Sequence, residues 1–263
     1  MIDDNEELPS GEERTVVFLE SATIAGAPVA YVIMLSSVVA VLSFIPFSIA
    51  LSTGSSFPMS QGVYGLMGWV LGPWAGAWAS GIGTLVGIFL APHTAGIPWI
   101  SVLGAASGAV FAGAIVPRGR TMLGAVLSVV ALVEIYLYWH HAIVRNGVEP
   151  RIVFYADLSR LVAFALFVLP TRRWMGRMIA SPHLPTVAVG LFLGTWAATG
   201  LMMSGESLLG YYLLNWPQQV FVMFIPIIPL EQCFRSVIGA VIGTGVIAGL
   251  RTMSIVKPAE AAY

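Results

Sequence analysis

Charge is what this sequence has least of. Only 10% of its 263 residues are Asp, Glu, Lys or Arg, against about a quarter in soluble domains. From Met59 to Pro117 there is none at all, and His93 is the sole side chain there able to titrate near neutrality. A chain that is 57% apolar, with mean hydropathy +0.87, has too little polar surface to face water on all sides. That composition excludes an ordinary soluble domain and predicts a polytopic membrane protein. Twelve basic and 13 acidic residues leave no basic surplus for nucleic acid.

Cysteine is nearly absent as well. Cys233 stands alone, which excludes an internal disulfide framework and any multi-cysteine metal site, and it reads as a buried thiol. Catalytic signatures are missing: no HExxH, no GxSxG, no P-loop and no metal-ligand spacing. His140 and His141 are adjacent, so they point to different faces of a helix and make a poor chelating pair. The chain is therefore expected to be no enzyme and to hold neither metal nor cofactor. Without a nucleotide-binding sequence, any energised transport needs partners. The acidic start, with six acids in the first 13 residues, is not the basic opening of a secretory leader and reads as a cytoplasmic tail over residues 1–27.

What is present is a succession of apolar runs between residues 28 and 251, followed by a second tail over residues 252–263. Crossing a core of about 30 Å takes about 20 helical residues, fewer where neighbours bury the ends. Eight crossings are expected: 28–50, 61–71, 74–91, 99–116, 122–143, 152–169, 185–203 and 231–250. The Gly72-Pro73 pair marks a tight turn after the short second one. Residues 207–229 are apolar enough to span, but Pro217, Pro226 and Pro229 each remove a backbone donor. That stretch is expected to be broken, re-entrant or interfacial on the outer side. With both termini inside, the inner loops hold Arg118, Arg120, Arg172, Arg173, Arg177, Arg251 and Lys257, and the outer loops only Arg145 and Arg151. This obeys the positive-inside rule and favours eight crossings over nine.

Small residues recur on single helix faces: Gly76, Ser80, Gly83 and Gly87; then Gly104, Gly108 and Ala112; then Gly239 and Gly243. Such faces let helices approach closely where lipid offers no hydrophobic drive, so they predict an all-α, tightly packed bundle.

Ionisable residues inside spans are costly and are candidates for function. Most fall in the outer half here. Asn215, Trp216, Gln218, Glu231, Gln232 and Arg235 converge near the end of the chain; Gln61, Trp99, Asp157 and His140 come from earlier helices, and Tyr211 adds an aromatic wall. Together they predict a polar pocket open to the outside. The competing reading is internal neutralisation, since Asp157 and Arg160 are i, i+3 partners and Glu231 and Arg235 are i, i+4 partners. Glu134, nearer mid-helix, is expected inside the bundle.

The order of these features resembles the substrate-binding S components of energy-coupling factor transporters. The residues that carry the resemblance are Ser36–Ala40 on the first helix, the polar loop Ser52–Ser60, the turn Val70–Pro73, the glycine-rich Gly76–Gly87, Gly104–Gly108, and the final helix Pro229–Arg251. It extends over about two thirds of the chain. The resemblance implies a membrane subunit that captures a vitamin or similar micronutrient on the outer side, then works with a transmembrane coupling subunit and two cytoplasmic ATPases, toppling to deliver its cargo. It also implies that Ser36 and Ala40 occupy the AxxxA positions that meet the coupling subunit, with serine in place of the first alanine. Six crossings are usual in that family, so the two extra ones place an inserted helical pair within residues 122–169. A structural subunit of a larger membrane complex, without a ligand of its own, is the alternative from another class.

Overall fold

The computed structural model describes residues 22–49, 56–94, 96–116, 120–253 and 257–263. Expectations for residues 1–21, for the tip of the first polar loop at 50–55 and for Arg118 lie outside the described residues. The described chain forms nine α-helices: α1 (Val29–Leu42), α2 (Tyr64–Leu71), α3 (Pro73–Leu90), α4 (Pro98–Gly113), α5 (Thr121–His140), α6 (Pro150–Val168), α7 (Thr171–Ile179), α8 (Leu184–Leu214) and α9 (Gln218–Thr252). Two small antiparallel pairs accompany them, β1 (Thr23–Ile24) with β2 (Ala27–Pro28), and β3 (Pro46–Ile49) with β4 (Ser56–Pro58). In the second pair Pro46 faces Pro58 and Ile49 faces Ser56.

Proline sets many of the helix starts. It occupies the first turn of α3, α4, α6 and α8, where its missing donor costs nothing and its φ suits the helix. Between α2 and α3 the chain reverses at Gly72, whose φ of 91° suits a residue without a Cβ. A Cβ there would lie 2.6 Å from that of Glu260, so the C-terminal segment also needs glycine at this turn.

Glycine faces decide the packing. A Cβ on Gly76 would come 2.7 Å from the Met67 carbonyl of α2, and one on Gly83 would come 2.5 Å from the Ser36 carbonyl of α1. The single small face of α3 thus serves two neighbours. Gly113 of α4 abuts Pro73, and Gly239 of α9 abuts the Gly62 carbonyl in the 3-10 turn before α2. Dispersion and backbone proximity drive this association in an apolar solvent. The outside of the bundle is apolar, with Trp74, Trp78, Phe89 and Val241 all more than half exposed.

Among the described residues four helices are long and apolar enough to cross a membrane: α3, α5 extended by its π-turn to Arg145, α8 and α9; the pair α6–α7, bent by 80°, makes a fifth if it counts as one span. Helices α1 and α4 are apolar but shorter. The protein is thus an all-α bundle of membrane type. Basic residues collect at one end, where Arg251 donates to the carbonyls of Ser181 (2.7 Å) and Ile179 (3.1 Å). At the same end Arg120 pairs with Glu260 (3.3 Å), and the Ala262 amide donates to the Trp69 carbonyl (2.7 Å).

Three expectations are corrected. Residues 207–229 do break at Asn215 (φ 48°) to Pro217, but only there: α8 continues to Leu214, and α9 starts at Gln218, ahead of the expected last crossing at 231, and runs unbroken through Pro226 and Pro229. Each internal proline omits one ladder bond, which is tolerated where protein surrounds the backbone. Residues 171–179, expected as loop, form the amphipathic α7, with Met175 and Ile179 buried and Arg173 and Arg177 exposed. Cys233 is exposed rather than buried, because the inward face of α9 at that level is taken by Glu231, Gln232, Arg235 and Ser236.

Candidate functional site

Arg235 is the centre of the polar interior. It sits fully buried on α9, and every arm of its guanidinium is engaged. Nε donates to Gln61 Oε1 at 2.8 Å; Nη1 donates to Met203 Sδ at 3.2 Å and Gln232 Oε1 at 3.3 Å; Nη2 pairs with Glu231 Oε2 at 3.2 Å. The rings of Phe57 and Phe47 lie 5.1 and 5.7 Å from its carbon centre. Gln232 is anchored in turn, its Nε2 donating to Thr199 Oγ1 (2.6 Å) and the Trp196 carbonyl (2.9 Å). A buried charge so satisfied orders the helices around it.

Beside this hub lies a cavity at the end of the bundle opposite the basic loops. The centres of water-sized molecules have about 140 Å³ in which to move, and one water needs about 10–15 Å³ by that measure. The space therefore takes a small organic molecule. Its walls come from the 3-10 turn before α2, from α3, α4, α8 and α9, and from Phe57 and Pro58 of the β3–β4 hairpin. Phe57, Trp216 and Phe224 supply aromatic surface, with Trp216 and Phe224 edge to face at 5.3 Å.

The polar lining is mostly committed. Thr84 donates to the Tyr64 hydroxyl at 3.1 Å, Tyr64 lies 3.2 Å from Ser60, and Ser60 lies 3.1 Å from Ser43. Glu231 is held by Arg235. Glu206, on the cavity wall, is different. Its carboxylate lies over the α4 backbone at Gly104, where any Cβ would collide with it, and it makes no ion pair or hydrogen bond among the described residues. Gly104, read from sequence as a packing glycine, is the seat of a carboxylate.

A second polar cluster lies among α5, α6 and α8. Arg160 pairs with Asp157 (2.9 Å) and donates to Ser207 Oγ (2.8 Å), while Trp139 Nε1 donates to Asp157 (2.8 Å). Ser207 is on the cavity wall; Asp157 and Arg160 are not. Glu134 approaches Gly205 in the same region.

Of the residues singled out from sequence, Gln61, Trp216 and Glu231 line the cavity, and Gln232 and Arg235 stand behind it. Asn215 and Gln218 do other work: Asn146 Nδ2 donates to Asn215 Oδ1 (2.8 Å) and the Glu149 amide donates to Gln218 Oε1 (3.0 Å), clasping the α5–α6 loop to the α8–α9 turn. Asp157 is buried in its ion pair, and Trp99 and His140 are exposed away from the cavity. Tyr211 is buried beside Trp216, stacked at 5.9 Å. Ser36 and Ala40 are buried on α1, with the Ser36 carbonyl against Gly83 of α3. Glu206, Tyr64 and Thr84 were missed. Only Glu206 carried a signal, an isolated carboxylate inside an apolar run, and it fell at the supposed end of a crossing.

Among the described residues no group of three or more His, Cys, Asp or Glu side chains is placed to share a metal ion. Comparison of the chain with protein-family models, curated proteins and solved structures finds no match in any of the three.

Proposed function

We propose that this protein is a substrate-capture subunit of the cell membrane, taking a vitamin-like micronutrient from outside and passing it to separate coupling and ATPase subunits, in the manner of the S components it resembles. In this reading α1 to α6, α8 and α9 make eight crossings, α7 lies along the inner surface, and both termini are cytoplasmic. The observation that supports it is the cavity: a small-molecule space at the end away from the basic loops, with aromatic walls and a few placed polar groups, the usual build of a ligand site. The hairpin carrying Phe57 and Pro58 is its gate. Glu231, Gln61 and Trp216 meet the ligand, with Arg235 and Gln232 holding them in place.

The test is a thermal-unfolding screen of the purified, detergent-solubilised protein against vitamins and related metabolites. A ligand present at 100 times its Kd stabilises by about 2.7 kcal/mol. At least one compound is expected to raise the midpoint, and to do so less when Trp216→Ala removes an aromatic wall. A flat response across a broad panel from a protein with an intact unfolding transition would reject capture as its role.

A further inference from the structure

The cavity brings two carboxyl groups, Glu206 and Glu231, against one guanidinium, Arg235. Glu231 has that guanidinium at 3.2 Å; Glu206 interacts with it only through space. Arg235 also donates to Gln61, Met203 and Gln232, and none of its hydrogen bonds among the described residues goes to Glu206. A carboxylate removed from bulk water and left unpaired is costly, and the fold makes a place for this one, since Gly104 leaves the room that its oxygens occupy. The walls around it are apolar and aromatic rather than cationic: Ile97, Ile100, Trp216 and Phe224. The indole N–H of Trp216, also on the cavity wall, is buried without a hydrogen-bond partner among the described residues.

We propose that the cavity selects an organic cation, a protonated amine or amidine carried on a flat ring, with its N–H groups on the Glu206 carboxylate and its ring against Trp216 and Phe224. This rests on the reading of the cavity as a capture site and adds the charge of the cargo. The cation completes the neutrality that Arg235 provides for only one of the two carboxyls. Aromatic faces within reach add cation–π attraction in a desolvated space. An anionic ligand meets the opposite situation, because Arg235 already holds Glu231, Arg160 is held by Asp157 behind Ser207, and two acidic groups face the newcomer.

A charge series on one ring tests this. Tryptamine, tryptophol and indole-3-acetate share an indole and differ in carrying an ammonium, a hydroxyl or a carboxylate. Binding of each to the purified full-length protein in nanodiscs is measured by calorimetry. Tryptamine is expected to bind at least tenfold more tightly than tryptophol, and indole-3-acetate more weakly still. In Glu206→Gln the amine loses that advantage while the alcohol changes less than twofold. Gly104→Ala, which displaces the flexible Glu206 side chain without touching the ring site, weakens the amine more than the alcohol. Equal binding of amine and alcohol, preference for the acid, or an amine-to-alcohol ratio untouched by Glu206→Gln each overturns the proposal. So does failure of all three probes to bind a protein that is monodisperse and unfolds cooperatively. If Glu206→Gln does not fold, the ratio in the unmodified protein decides. A neutral or anionic hit in the metabolite screen, with no preference for the amine here, discards the cation and keeps capture.

Discussion

Arg235 shows what a single charged residue does when it has no water. Four side chains accept its hydrogen bonds, and removing it would leave Glu231 and Gln61 buried without that partner. Breaking a buried pair from one side costs about 3–5 kcal/mol, whereas replacing both members with apolar groups is often near neutral. Arg235→Met is therefore expected to lower the unfolding midpoint sharply in detergent, and Arg235→Met with Glu231→Leu to recover much of the loss. A double variant no better than the single one would show that Arg235 acts through packing alone. The ion pairs of Glu231 with Arg235 and of Asp157 with Arg160 were legible from spacing, since i+4 and i+3 are neighbours on a helix. Whether either pair touched a cavity was not, because spacing along one helix says nothing about what its neighbours leave open.

Among the elements, α2 is the most enclosed, all of its eight residues being buried between α3, α4 and α8. That is why so short a helix survives: its neighbours, not its length, shield its backbone. Gly68 is where it touches α4, and a Cβ there would strike the Ala109 carbonyl. Gly68→Ala is expected to destabilise by about 1–3 kcal/mol through overpacking. Gly245→Ala in α9, with nothing within 4 Å, is expected to be neutral or stabilising by up to about 1 kcal/mol. Unfolding of both variants in the same detergent checks the contrast. The glycine periodicity announced close-packed faces, yet it did not distinguish Gly76, which meets backbone, from Gly104, which seats Glu206. Proline misled in the opposite sense. Pro226 and Pro229 weaken α9 locally, but 35 residues of helix packed on α6 and α8 outweigh two missing ladder bonds. At the basic end, burial holds the Arg120 pKa below its ordinary value while Glu260 pulls it back up. Arg120→Ala removes that ion pair and the bonds to the carbonyls of Gly113 and Glu260. The segment 257–263 is then expected to become sensitive to carboxypeptidase, with unchanged resistance counting against the clasp.

For the whole molecule, the distribution of positive charge makes an orientation testable. With Cys233→Ser as background, Arg151→Cys and Arg177→Cys place single exposed thiols at opposite ends of the bundle. A membrane-impermeant maleimide is expected to label the first in intact cells and the second only after permeabilisation. The reverse pattern would put the cavity on the cytoplasmic side and remove the basis for uptake from outside. Labelling of both in intact cells would contradict the bundle's spanning the membrane.

Composition and periodicity by themselves determined that the chain is helical, lipid-facing and tightly packed, because a solvent that cannot hydrogen-bond leaves a nearly uncharged chain few other options. They also determined the pairing of charges one turn apart. Only the tertiary structure decided which carboxylate would stand on the cavity wall with no ion pair among the described residues. Glu206 has no hydrogen bond or ion pair among the described residues because Arg235 turns to Gln61, Met203, Gln232 and Glu231 while α4 offers Glu206 a glycine to lie against. Those relations join residues 61, 104, 206 and 235, and no local pattern carries information across such separations.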